Sequence, residues 1–368
     1  MKTLIIIAIS VILMLTSCNN HKIKNDLTKI DLIGKVKSVR EISYEAIEKF
    51  GEISKGNIER EGKEWWNEHE YIKEFNENGY LTKVITFKSD GSFFGGDSWK
   101  YDKFNNMIES NILSDDGSVF SKRIWKYNNY ANKTEMNVYN SDGELEYNDV
   151  WKYDHENNLI EYYRDKVDEG LEMKTIYTYD KFGNKIGQKT SGNSGNLQYT
   201  KKWNYNANGN AVEEIVDNEG GYDDYKYFMK YDKYGNQIEQ FKQKNNGEKK
   251  LNFKKEFNSD SYIINKTTFN SDGSRKSMKT WNRNKMNITI EYINYKSKRG
   301  LFYRALKTIY DNNGNKKERI KYNPNGSVNI KQTYSYEFDK QGNWVKRIDY
   351  KNNKPIYLLE REIDYYNN

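Results

Sequence analysis

The feature that most constrains this chain is a period. FNENGYL begins at Phe75, YDKFNNMI at Tyr101, YNNYANKT at Tyr127 and YDHENNLI at Tyr153. YDKFGNKI follows at Tyr179, YNANGNAV at Tyr205, YDKYGNQI at Tyr231 and FNSDSYII at Phe257, so that every step is 26 residues. Beyond this the register reads as slipping, with WNRNKMNI at Trp281, YDNNGNKK at Tyr310 and FDKQGNWV at Phe338. Between these motifs lies a second series of turn signals, such as SDGS, NSDGE and NPNGS. They are centred on Gly91, Gly117, Gly143, Gly170, Gly195, Gly221, Gly247, Gly273, Gly300 and Gly326. Such a period belongs to architectures in which each unit packs on its neighbours. Two turns per period leave extended segments of about eight or nine residues, the length of an ordinary strand.

Each turn has a local mechanism. In YDKFGN the Asp180 carboxylate can fold onto N–H groups two residues ahead, and Gly183 tolerates positive φ. Asn105 and Asn157 suit the same left-handed position where Gly is missing. The Asp-Gly turns suit a tight hairpin. The flanking segments alternate ring and charge, as in Trp99-Lys100-Tyr101, Trp125-Lys126-Tyr127 and Trp151-Lys152-Tyr153, which puts rings on one face and lysines on the other. Seven residues after each aromatic comes Ile108, Ile160, Ile186, Val212, Ile238 or Ile264, expected to pack across the hairpin from the ring. With Pro324 and Pro355 the only prolines, little interrupts a ladder.

The expected fold is all-β: an elongated, twisted antiparallel meander of hairpin repeats, about twenty strands, open or superhelical, with no closed compact core. Composition fits a thin structure. Hydrophobic residues make up 36% of the 368 residues and aromatics alone 15%, leaving few aliphatic side chains for a thick interior. The regular aromatic period argues against disorder despite 31% charge. The net charge of +7 is spread along the chain, so no basic block marks a nucleic-acid footprint.

The chain divides by pattern into four regions. Residues 1–17 read as an export signal, with Lys2 followed by the apolar run Leu4 to Leu15, too short to span a bilayer. Leu15-Thr16-Ser17-Cys18 resembles the bacterial lipobox, which implies lipidation of Cys18, the only cysteine. Acyl chains there would tether the protein to a membrane at the cell envelope, on the periplasmic or outer-membrane face. Residues 18–30 read as a polar tether. Residues 31–70 read as a cap, with a strand at Lys35 to Tyr44, a loop or helical turn within Ala46 to Gly56, and Trp65-Trp66 as apolar cover. Residues 71–368 carry the repeats, ending in a last strand at Ile356 to Tyr366.

Motifs such as YDKFGNKI, YDKYGNQI and YDNNGNKK resemble the YD repeats of Rhs-type bacterial proteins and of related lipoproteins common in Bacteroidota. The resemblance covers Tyr71 to Asn368 and implies an all-β repeat scaffold with no catalytic residue. Rhs shells enclose a C-terminal toxin. This chain ends within its repeats and has too few of them, on this reading, to close a large shell.

Little in the sequence points to catalysis. His21, His69 and His155 share no metal-ligand spacing, and no metal or cofactor is expected. Asn140-Ser141-Asp142-Gly143 and Asn270-Ser271-Asp272-Gly273 carry one carboxylate each and read as turns rather than calcium loops. Adjacent acids, at Asp115-Asp116, Glu213-Glu214 and Asp223-Asp224, are ordinary for a charged β surface, whereas a glycosidase needs two convergent acids. The most regular chemical feature is the ladder Trp99, Tyr101, Trp125, Tyr127, Trp151, Tyr153, Trp203 and Tyr205, a core or a platform for sugar rings or peptide strands. The expected function is a non-catalytic binding scaffold for glycan, peptide or protein, without nucleic acid. The alternatives are a polysaccharide-acting envelope enzyme with unidentified carboxylates and, by analogy with Rhs proteins, an immunity-like protein against a toxin.

Overall fold

A computed structural model describes residues 25–58, 70–88, 90–219, 224–245, 247–298 and 301–367. The signal segment, Cys18, Trp65-Trp66, Gly221 and Gly300 lie outside the described residues. Among the described residues twenty-five strands, β1 to β25 in chain order, form one antiparallel sheet. From β3 (Glu70–Phe75) to β25 (Lys354–Tyr365) each strand pairs with the next, as expected of a meander.

The sheet is not open. Strand β1 (Val36–Lys49) pairs with β25 from Val36↔Tyr365 to Glu45↔Tyr357, and with β3 from Ser38↔Glu74 to Ile42↔Glu70. Since Ser38 to Ile42 have partners on both sides, β1 sits between the first and last strands of the meander. The result is a closed barrel of 24 strands, β1 with β3–β25. This overturns the expectation of an open or superhelical sheet without a closed compact core. The physical reason is edge satisfaction. A meander leaves two rows of unpaired N–H and C=O groups, and one strand from the cap region pairs with both.

The seam has an apolar core in which Leu27, Leu32, Val36, Val39 and Phe75 are buried together, flanked by Ile30, Leu81, Ile363 and Tyr365. Leu27 comes from a short helix, α1 (Asp26–Lys29), capped by Asn25, whose side chain accepts from the Thr28 N–H. Thus residues 25–30, read as the end of the tether, pack on the seam. Ala46 to Gly56, expected as a loop or helical turn, instead forms most of a hairpin. The far half of β1 pairs with β2 (Glu52–Ile58), which lies outside the ring.

The turns follow their sequence chemistry with one correction. The Asp180 Oδ1 atom accepts from the N–H groups of Phe182 and Asn184, and Gly183 has φ +80°. Asn105 and Asn157 take φ +64° and +71° in its place. The Gly183 N–H donates to the Asp180 carbonyl and the Asp180 N–H to the Asn184 carbonyl, which makes a three-residue loop closed by a bulge. The Asp-Gly turns share this geometry: the Gly117 N–H donates to the Ser114 carbonyl and the Ser114 N–H to the Ser118 carbonyl. They are therefore not two-residue hairpins. The bulge also displaces the partner of the motif ring. Tyr101 faces Met107, and Ile108 is the residue skipped by the register. Ile160 and Ile186, at the same position, are exposed rather than packed across the hairpin.

Bulge and ring are joined by a bond that the period encodes. The Tyr101 hydroxyl donates to the Leu81 carbonyl at 2.7 Å, Tyr127 to Met107 at 2.6 Å, Tyr153 to Lys133 at 2.8 Å and Tyr179 to Leu159 at 2.7 Å. Tyr205 and Tyr231 repeat it with Lys185 and Ala211, each at 2.7 Å. The acceptor is always 20 residues earlier, on the preceding motif hairpin, just past its turn. Arg283 takes the same place one period after Phe257, with Nε near the Ile263 carbonyl at 3.4 Å and Nη1 donating to the Asn287 carbonyl at 2.9 Å. The register therefore holds through Arg283, with the slip coming after it and not at Trp281.

Replacing Tyr179 by Phe removes one such clasp and leaves the Leu159 carbonyl without its donor. The expected cost is about 1 kcal/mol, read as a lower denaturant midpoint. An unchanged midpoint would show that the hydroxyl holds nothing.

Candidate functional site

Strand register assigns the aromatic ladder to one face. Trp99 lies opposite Ser110, and Ser110 opposite Arg123, two residues from Trp125. Trp125 lies opposite Met136, and Met136 opposite Asp149, two residues from Trp151. The same path runs from Trp151 through Tyr162, Thr175, Gln188 and Lys201 to Trp203. Ser110, Val138, Asp149, Thr175, Thr190 and Val216 are buried on this face. Side chains converge on the concave side of a closed sheet, so this buried face is the inner wall.

The outer wall carries the intervening charges. Lys100 meets Glu109 at 3.0 Å, Lys126 meets Glu135 at 2.9 Å and Lys230 meets Glu239 at 3.0 Å. Glu161 is held between Lys152 at 2.7 Å and Lys174 at 2.8 Å, and its pKa is lowered by these hydrogen bonds. A lipid-facing wall needs an outward apolar band. This one carries ion pairs in strand after strand.

The ladder divides by role. Tyr101, Tyr127, Tyr153 and Tyr205 spend their hydroxyls on the clasps described above. Trp99, Trp125, Trp151 and Trp203 are half-buried. Trp151 is tilted against Tyr162 at 5.4 Å, Lys133 stands 5.5 Å from the Trp125 ring and Lys185 4.4 Å from Trp203. The Lys185 pKa is lowered, first by burial and then by Lys201. The sequence shows the rings; it does not show that four of them are tied to backbone.

Several acids on the inner wall are held in pairs. Asp149 is 2% exposed and accepts from Arg164 Nε at 2.7 Å, Arg164 Nη2 at 3.0 Å and the Tyr162 hydroxyl at 3.0 Å. Burial and then the Asp149 charge push the Tyr162 pKa up to about 12. Near the seam, Arg347 binds Asp349 at 2.7 Å, and Arg361 binds Glu41 at 2.7 Å while lying 3.5 Å from the Trp344 ring. Burial raises the Asp349 pKa, with Arg347 acting against it. Tyr71 donates to Glu41 at 2.7 Å. The Asp149–Arg164 and Glu41–Arg361 pairs were not legible beforehand, because each joins two strands through register, whereas Arg347 and Asp349 are two residues apart on β24 (Trp344–Lys351).

The adjacent acids of the sequence do not converge. Glu213 is held by Asn204 on the outer wall, and Glu214 reaches Lys201 on the inner one. Asp115 and Asp116 lie in an exposed turn, and Asp223 is outside the described residues. In the turn at Asn140 the side-chain oxygen accepts from the Asp142 and Glu144 N–H groups. His155 is exposed in its turn, beside Glu156 at 3.8 Å.

No protein-family model matches this chain, and no curated protein matches it. Among solved structures, a crystal structure of TcdB2-TccC3-TEV resembles it with TM-score 0.38 and 11% identity, over 85% of this chain and 18% of that one. A Photorhabdus luminescens Tc holotoxin pore resembles it with TM-score 0.37 and 10% identity, over 86% and 20%. A porin-like protein from Bacteroides uniformis gives TM-score 0.24 and 10% identity, over 62% and 92%. The chain thus spans about a fifth of the toxin-complex chains. At these scores the likenesses carry no argument about activity.

Proposed function

We propose that this protein is a non-catalytic binding scaffold of the cell envelope, anchored through a lipidated Cys18, whose inner wall takes up glycan or peptide. The observation that carries the reading is the state of the four tryptophans. Each is half-buried on a concave wall, so each keeps ring surface on which a sugar or an apolar side chain can stack. Lysines over Trp125 and Trp203 add donors beside that surface. Asp149 and Asp349 are held in ion pairs with arginines, an arrangement that suits a rigid wall better than acid–base chemistry.

The anchor is tested by incorporation of a labelled lipid precursor, expected in the wild type and absent from Cys18→Ala. Equal labelling of both, or none in either, contradicts it. The wall is tested by replacing Trp125 and Trp151 separately with Ala and presenting each variant to a glycan array and a peptide library. Because the rings are half-buried, each variant should keep its fold at a cost of about 1–2 kcal/mol and lose capture. Loss of about 3 kcal/mol or more, with capture lost only through unfolding, would make the rings structural instead.

A further inference from the structure

We infer that a second part of the inner wall, the row Lys255–Lys266–Lys279, is a binding site for an acidic polysaccharide of the uronic-acid class. This deepens the reading of the inner wall as a binding surface, and does not depend on the tryptophan ladder. Register continues the wall from Trp203 to Glu214 and from Glu214 to Tyr227, two residues from Met229. Met229 lies opposite Gln240, and Gln240 opposite Phe253, two residues from Lys255. Lys255 on β17 (Lys249–Phe257) directly faces Lys266 on β18 (Ile263–Phe269). Lys266 in turn faces Lys279 on β19 (Arg275–Arg283).

Three like charges set directly opposite one another destabilise a sheet. On the outer wall glutamate separates the lysines at Lys152–Glu161–Lys174 and Lys230–Glu239–Lys254, and isoleucine separates them at Lys202–Ile215–Lys226. In the row at Lys255 no described carboxylate intervenes. The strand positions of this face from β16 (Gln237–Lys244) to β20 (Thr289–Lys298) hold no Asp or Glu. Instead the Lys255 and Lys266 ammonium groups both stand over the Phe253 ring, at 4.6 and 5.4 Å. The Lys255 pKa is lowered by burial and then by Lys266, consistent with uncompensated charge.

The row runs across the strands, so its charges step by about 4.8 Å, the strand spacing. That is close to the length of one sugar unit in an extended chain, and shorter than the step between phosphates in an extended nucleic acid. Phe253 and Trp281, two residues beyond Lys279 on the same face, flank the row with rings on which sugar C–H faces stack. Repeated carboxylates with stackable rings between them fit this combination.

The test uses the full chain at low salt with polygalacturonate as probe, and polyphosphate and oligothymidylate as competitors. The expected result is binding that weakens at least about tenfold in Lys255→Gln/Lys266→Gln/Lys279→Gln and falls with added salt. Lys266→Gln alone should keep or raise the thermal midpoint, because it removes both like-charge contacts. Retention of polygalacturonate binding by Trp125→Ala would support the row independently of the ladder. Wild-type affinity in the triple variant, a lowered midpoint in Lys266→Gln, or tighter binding of polyphosphate or oligothymidylate would each overturn the assignment.

Discussion

Everything in this barrel depends on one strand that satisfies two edges. A hairpin meander ends in two rows of unpaired backbone groups, and each open edge invites pairing with another chain. The Val36–Lys49 strand offers one side to Glu70–Phe75 and the other to Lys354–Tyr365. Once it is in place the sheet has an inside and an outside, and the period-two alternation of ring and charge becomes a distinction between two walls. The apolar seam around Leu27, Val36, Val39 and Phe75 is where the chain concentrates its few aliphatic side chains. Elsewhere the wall is one layer, and rings and ion pairs share its surfaces.

Between the ends, the structure is sustained by repetition of a modest unit. Each motif turn spends an Asp or Asn on N–H groups two and four residues ahead, ends in a left-handed residue and creates a bulge. From Tyr101 to Tyr231 the following ring returns a hydroxyl to the carbonyl beside that bulge. A single such bond contributes about 1 kcal/mol, and an exposed lysine–glutamate pair about 0.2–1 kcal/mol. Neither dominates. Their regular spacing matters because neighbouring hairpins are held in one register around the ring, and this fixes which residues face the interior.

The turn positions, the repeat strands and the common face of Trp99, Trp125, Trp151 and Trp203 were legible in the sequence because they are local: i to i+2 bonds, positive φ and alternation. Closure was not. The partners Glu41 and Arg361 lie 320 residues apart in the chain, and nothing in the alternation of the Val36–Lys49 strand separates a ring-closing strand from a cap. The role of the motif Tyr was equally hidden, since a recurring ring reads as packing and its hydroxyl bond spans hairpins. Arg283 was missed because it resembles Tyr in neither shape nor class, although a guanidinium can also donate to a carbonyl. The lysine row emerged only when register placed three separately unremarkable residues side by side.

Closure is tested most directly by a distance between the ends of the sheet. With Cys18 replaced by Ser, spin labels at Glu45 and Tyr357, which are direct strand partners across the seam, report whether the first strand meets the last. The closed barrel predicts a single short distance, within about 20 Å once label length is allowed for. A flat open meander of the same strands would separate its ends by roughly 110 Å at the ordinary strand spacing. A long or broad distance in the folded protein would contradict the barrel, and with it the assignment of an inner wall.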